Sequence, residues 1–176
     1  MTENADKKPN LNKPPSLPDA LSGAVLQEMK IRDLNIQVRE NTHWRWLVFL
    51  NQPIQSQDGL TPIQSLYYKP EPSRLIATYM QVMCAGLTLT SVKPNCDKRV
   101  LQLGLGGAAI NRFLLDKLAI QNLTTVELYP ELVDSYCKYF GGENLKARES
   151  AIVSSAEHFL NDCLLYTSPS PRDKTV

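Results

Sequence analysis

At 176 residues the chain is long enough for one domain of ordinary size with a real core. Hydrophobic residues make up 43%, as in a globular protein, and a formal net charge of +1 excludes a global field that would draw nucleic acid or a membrane surface. No apolar run approaches a transmembrane helix, and the opening "MTENADKKPNLNKPPSLPDA" lacks the apolar centre of a signal peptide.

In chain order, residues 1–22 are rich in Pro, Asn, Lys and Ser. They bury too little apolar surface to offset ordering entropy, so a disordered tail is expected there. A small β subdomain is expected over 23–70. Leu34, Ile36 and Val38 alternate with polar residues, "ENTH" supplies a turn, and Trp44, Trp46, Val48 and Leu50 share the next apolar face. This pattern predicts a β-hairpin with both tryptophans in its core. A short third strand is expected in "PIQSQDGL", closed by a turn at Asp58-Gly59.

From 71 to 162 the pattern predicts part of a Rossmann-like domain. Ser73 is the expected N-cap of a helix whose apolar stripe is Leu75, Tyr79, Met83 and Leu87, with Ile76 and Met80 beside it. An alternating βα series follows a loop at "SVKPNCDK". Strands are expected at 99–103, 123–128 and 151–153, and helices at 108–118, 130–140 and 156–160. Pro130 at the first helical position and Gly141-Gly142 at the end mark the middle helix. The fold class is therefore α/β, with an N-terminal β-hairpin subdomain and the first half of a doubly wound parallel sheet.

The cysteines (Cys84, Cys96, Cys137 and Cys163) form no C-x-x-C pair, and no His stands at metal-ligand spacing from them. Reduced thiols in a cytoplasmic protein are expected, with no metal site and with Cys84 and Cys137 as small core residues. His43 sits at a turn with no Ser, Cys or acid placed as a triad partner, and His158 on the third helix is expected as a surface residue.

The stretch "RVLQLGLGGAAINRFLLDKL" carries the chemistry. A buried strand runs through Gly104-Leu105-Gly106-Gly107 straight into a helix. Gly104 allows a tight turn, Gly106 and Gly107 keep side chains off an approaching ligand, and the helix offers free N–H groups. In "TTVELYPEL", Glu127 ends the second strand, where a carboxylate can accept from both ribose hydroxyls. The spacing Gly104-x-Gly106-x-x-Ala109 formally fits a dinucleotide pattern, so NAD and S-adenosylmethionine both remain open on these residues.

Together, "RVLQLGLGGAAINRFLLDKL" and "LTTVELYPELVDSYCKYFG" resemble the class I S-adenosylmethionine-dependent methyltransferase fold. Within it, the polyamine aminopropyltransferase (spermidine synthase)-like group is most similar, over roughly residues 30–162. The resemblance implies that Gly104, Leu105, Gly106 and Gly107 line the methionine and ribose end of S-adenosylmethionine or its decarboxylated form. It also implies Glu127 at the ribose, Gln55 at the amino-acid end, and Ser155 and Ala156 at the adenine.

The departures are specific. Ser154-Ser155 replaces a family Gly-Asp, and Ala108 stands where many members have a third Gly. "SLYYKPEPSRLIATYM" occupies the place of the acidic polyamine segment. A catalytic Asp would follow a fourth core strand that is not present, so no catalytic residue is assigned. The resemblance thus implies a transferase, methyl rather than aminopropyl, on a small-molecule acceptor, with an amine among the candidates. The full-length protein is expected as a homodimer. A non-catalytic member of the fold and an NAD-binding domain are the alternatives.

The closing "CLLYTSPSPRD" is similar to the in-frame translation of a transposase adapter from sequencing-library preparation. Residues 163–176 are therefore expected to be non-native, the natural protein to continue past Asp162, and this fragment to be inactive as written.

Overall fold

The structure, a computed structural model, describes residues 14–50, 63–89, 98–118, 120–142 and 147–167. Two sheets follow one another along the chain. The first is antiparallel, in the order β1 (Ala24–Ile31), β2 (Leu34–Glu40), β3 (Trp44–Phe49) and β4 (Ile63–Tyr68). The second is parallel, in the order β5 (Lys98–Leu103), β6 (Ile120–Glu127) and β7 (Glu149–Val153). Helix α1 (Thr78–Leu89) leads from one to the other, α2 (Ala109–Lys117) and α3 (Pro130–Tyr139) are the crossovers, and α4 (Ala156–Thr167) follows β7. The architecture is mixed α/β, an antiparallel sheet followed by a partial Rossmann-like sheet. Among the described residues no helix is long and apolar enough to cross a membrane.

The expected hairpin forms the middle of a larger sheet. Trp44 and Trp46 are buried, and their indoles donate to Ser16 O at 3.1 Å and Ala20 O at 2.9 Å. Ala20 is itself buried. Within the segment expected as disordered up to 22, Ser16 and Ala20 thus supply the acceptors that the indole N–H groups need. Strand β1 escapes a period-two reading because its register shifts between Val25 and Gln27, which breaks the alternation. The strand expected in 53–60 and the Asp58-Gly59 turn lie outside the described residues; β4 is the strand that pairs with β3.

Helix α1 corrects two expectations. Ser73 is not its N-cap: the helix begins at Thr78, where Ala77 O accepts from Met80 N and Gln81 N. Pro70 and Pro72 favour extended backbone before them, and Arg74 N closes a turn on Glu71 O at 3.0 Å instead. The buried stripe is also rotated. Cys84 is buried, with Met80 and Leu87 packed beside it against Leu114, Ile120 and Leu123. Tyr79 and Met83, expected in the core, are 58% and 61% exposed. Helical spacing identifies an apolar face but not the direction of its tertiary partner.

The core joins the two sheets. Ile36, Val38 and Leu47 of the antiparallel sheet pack with Leu105 and Ala108 of the glycine turn and with Leu132, Tyr136 and Phe140 from α3 and its end. The turn therefore sits at the junction between the sheets. Helix α4 continues past the expected Leu160 to Thr167, into the segment similar to translated adapter.

Candidate functional site

Strand β5 ends at Leu103, and Gly104 N donates to Val126 O at 2.8 Å, holding the turn against β6. Gly104 and Gly106 have φ of +85° and +53°, and a Cβ added at either would meet nothing within 4 Å. Both positions need glycine for backbone conformation, and both face open space. Gly107 differs: its Cβ would come within 2.5 Å of Ser65 Oγ. Glycine there lets β4 pack against the turn, while Gly107 also lines the cavity described below. Ala108 holds φ +54° without being glycine, a strained backbone of the kind that accumulates at working sites.

Glu127 is 5% exposed at the end of β6. Its Oε2 accepts from Leu105 N at 2.8 Å and its Oε1 from Tyr129 N at 3.0 Å. The carboxylate thus braces the glycine turn. A carboxylate has about four lone-pair directions, so each oxygen keeps one for a further donor.

A cavity of about 600 Å³ opens at this turn. Gly104 to Gly107 and Glu127 line it together with Leu47, Phe49, Gln64 and Ser65 of the antiparallel sheet and Tyr79, Met80 and Met83 of α1. Ser65 Oγ and Gln102 Oε1, on residues of the lining, are buried without a hydrogen-bond partner. An adenosine-type ligand fits the groups that do face the cavity: an open glycine backbone and an adjacent carboxylate.

The other sequence-derived residues fall elsewhere. Gln55 lies outside the described residues. Ser155 is the N-cap of α4, its Oγ accepting from His158 N at 3.1 Å. Neither it nor Ala156 is among the residues lining the cavity. The start of α4 is nonetheless near Glu127, because Ser154 N donates to Glu127 O at 3.0 Å.

Behind the turn lies a polar cluster that apolar periodicity does not reveal. Arg112 is buried and donates to Pro72 O at 2.9 Å, Gly107 O at 2.7 Å and Phe140 O at 2.8 Å. Its guanidinium lies 4.4 Å from the Tyr67 ring centroid. Burial lowers its pKa to about 10, so it stays charged at neutral pH. Beside it, Glu149 accepts from Asn111 Nδ2 and from Tyr136 OH, the latter at 2.8 Å. Burial holds the Glu149 carboxyl above its ordinary range, against the bonds from Asn111 and Tyr136 and the nearby Arg112 charge. Burial and the Glu149 charge push the Tyr136 phenol up. The one available signal is a pair of adjacent polar residues, Asn111-Arg112, in the first turn of α2. Among the described residues no group of three or more His, Cys, Asp or Glu could hold a metal ion.

Among solved structures, the chain is similar to the crystal structure of a probable spermidine synthase from Corynebacterium glutamicum ATCC 13032, with a TM-score of 0.56 and 15% identity. The likeness is one of fold. It covers 78% of this chain and 46% of that one, so the chain spans under half of that spermidine synthase's length. No protein-family model and no curated protein matches the chain.

Proposed function

We propose that the chain forms the adenosine-binding half of an S-adenosylmethionine-dependent transferase acting on a small acceptor. The observation that carries this is the pairing of an open, positive-φ turn at Gly104 and Gly106 with the Glu127 carboxylate bonded to Leu105 N. The turn lets a ligand lie against the backbone, and Glu127 presents lone pairs to the ribose hydroxyls. When bound, S-adenosylmethionine supplies an electrophilic carbon on its sulfonium. This chain's part is to bind, orient and exclude water. The likeness to a probable spermidine synthase supports a second reading, in which the ligand is the decarboxylated form and an aminopropyl group moves.

Calorimetric titration of the purified chain with S-adenosylmethionine, its decarboxylated form and NAD tests this. Heat from a sulfonium compound, lost on Glu127→Ala, is expected. Heat from NAD alone would transfer the site to the dinucleotide reading, and saturable binding of none would end the proposal.

A further inference from the structure

The cavity extends from the glycine turn to a wall contributed by other elements. Leu47 and Phe49 come from β3 and Tyr79, Met80 and Met83 from α1. Tyr79 and Met83 are the residues helical spacing would bury, yet they stand open beside the cavity. Among the described lining residues the one charged side chain is Glu127, which sits at the glycine turn, bonded to Leu105 N, and not on this wall. The other polar side chains of the described lining are neutral, Gln64, Tyr79 and Tyr129 among them.

We infer that this wall binds the acceptor, and that the acceptor is an uncharged molecule with an apolar body and a single neutral polar group, not a polycation. The inference rests on the adenosine reading of the glycine turn for the word acceptor; the chemistry of the wall stands on the cavity itself. A di- or triamine carries two or three positive charges at neutral pH. Placing those charges against Leu, Phe and Met side chains would cost their hydration without a carboxylate in return. An aromatic or alkyl body instead gains from the apolar lining, and flexible methionines adapt well to such a shape. One hydroxyl or carbonyl would bond the neutral Gln64 or Tyr79 side chain of the lining, and that bond would discriminate against an analogue lacking it.

The experiment uses the full chain and three probes: 1-naphthol, putrescine and S-adenosylmethionine, each followed by calorimetry. Saturable binding of 1-naphthol with putrescine at least tenfold weaker is expected. Met83→Glu, at an exposed position, should weaken 1-naphthol at least tenfold. Ile152→Lys, on the sheet face and not lining the cavity, should leave 1-naphthol unchanged. Putrescine binding as tightly as 1-naphthol would overturn the inference. So would a loss of 1-naphthol with Ile152→Lys but not with Met83→Glu, since the probe would then be adhering to bare sheet. Loss of S-adenosylmethionine binding alone would remove the proposed function and leave the wall's preference standing.

Discussion

Glu127 performs two tasks with one carboxylate. It accepts from Leu105 N and Tyr129 N, and its placement at the cavity offers the remaining lone pairs to a ligand. Charge-assisted bonds of this kind contribute about 1.5–3 kcal/mol each. Glu127→Gln keeps the shape but loses the charge and one acceptor. A destabilisation of about 2 kcal/mol in urea unfolding is expected, together with at least tenfold weaker binding of S-adenosylmethionine. Undiminished affinity would show that Glu127 is a brace and nothing more. The neighbouring backbone permits a sharper contrast. Gly104→Ala forces a side chain into φ +85° and should cost about 1–2 kcal/mol. Ala108→Gly removes the same strain at φ +54° and should be neutral or stabilising by up to about 1 kcal/mol. Equal losses in the two variants would mean that contacts, not dihedrals, decide both positions.

At the scale of elements, α2 is held from beneath by polar groups. Arg112 reaches three carbonyls on three segments: the lead-in to α1, the glycine turn and the end of α3. Arg112→Met preserves much of the packing but strands those acceptors, and a loss of about 3 kcal/mol is expected from thermal or urea unfolding. Glu149 ties β7 to α2 and α3 and makes stability depend on pH. Its folded pKa is raised above the ordinary 4.5, so the folded state holds the proton more tightly than the unfolded chain. Its contribution is therefore fully present below the ordinary value and is lost as pH rises through the raised one. Glu40 acts with the opposite sign, because the bond from Arg45 at 2.7 Å lowers its pKa; that contribution fades as pH falls, and partial exposure keeps it small. Glu149→Gln should flatten the decline in unfolding midpoint between pH 4 and 8. An unchanged slope would assign the decline to other groups.

At the scale of the whole molecule, the described residues leave an unbalanced surface. By register, Leu101 and Leu103 share a face of the parallel sheet with Thr124, Val126 and Ile152, and Leu101, Leu103 and Ile152 are 43%, 47% and 37% exposed. Strand β5 is also an edge of its sheet among the described residues. Bare apolar sheet beside an open edge favours association between copies. Light scattering should show concentration-dependent growth of the purified chain, suppressed by the double variant Leu101→Lys, Ile152→Lys. A monodisperse parent would mean that another part of the surface protects this face.

Local signals made the βα series readable. Pro130 at the start of α3, the glycine break after Leu103 and the apolar runs of β5 and β6 all recur at or within a few residues of their expected places. Residues Gly104, Leu105, Gly106, Gly107 and Glu127 line one cavity, as adjacency along a strand–turn–helix path requires. What the chain alone did not disclose depends on distant partners. The acceptors for the Trp44 and Trp46 indoles come from residues 16–20, and the bulge in β1 hides its alternation. Arg112 reads as an ordinary surface arginine of an amphipathic helix until its carbonyls are seen.

Short-range rules of backbone conformation and alternation were enough to order the parallel half of this protein and to locate its glycine turn. Only packing between the two sheets decided that Gly107 yields to Ser65, that Glu127 braces the turn it faces, and that Tyr79 and Met83 line a cavity. Those outcomes depend on which surface meets which across many intervening residues, and side-chain periodicity carries no information about that distance.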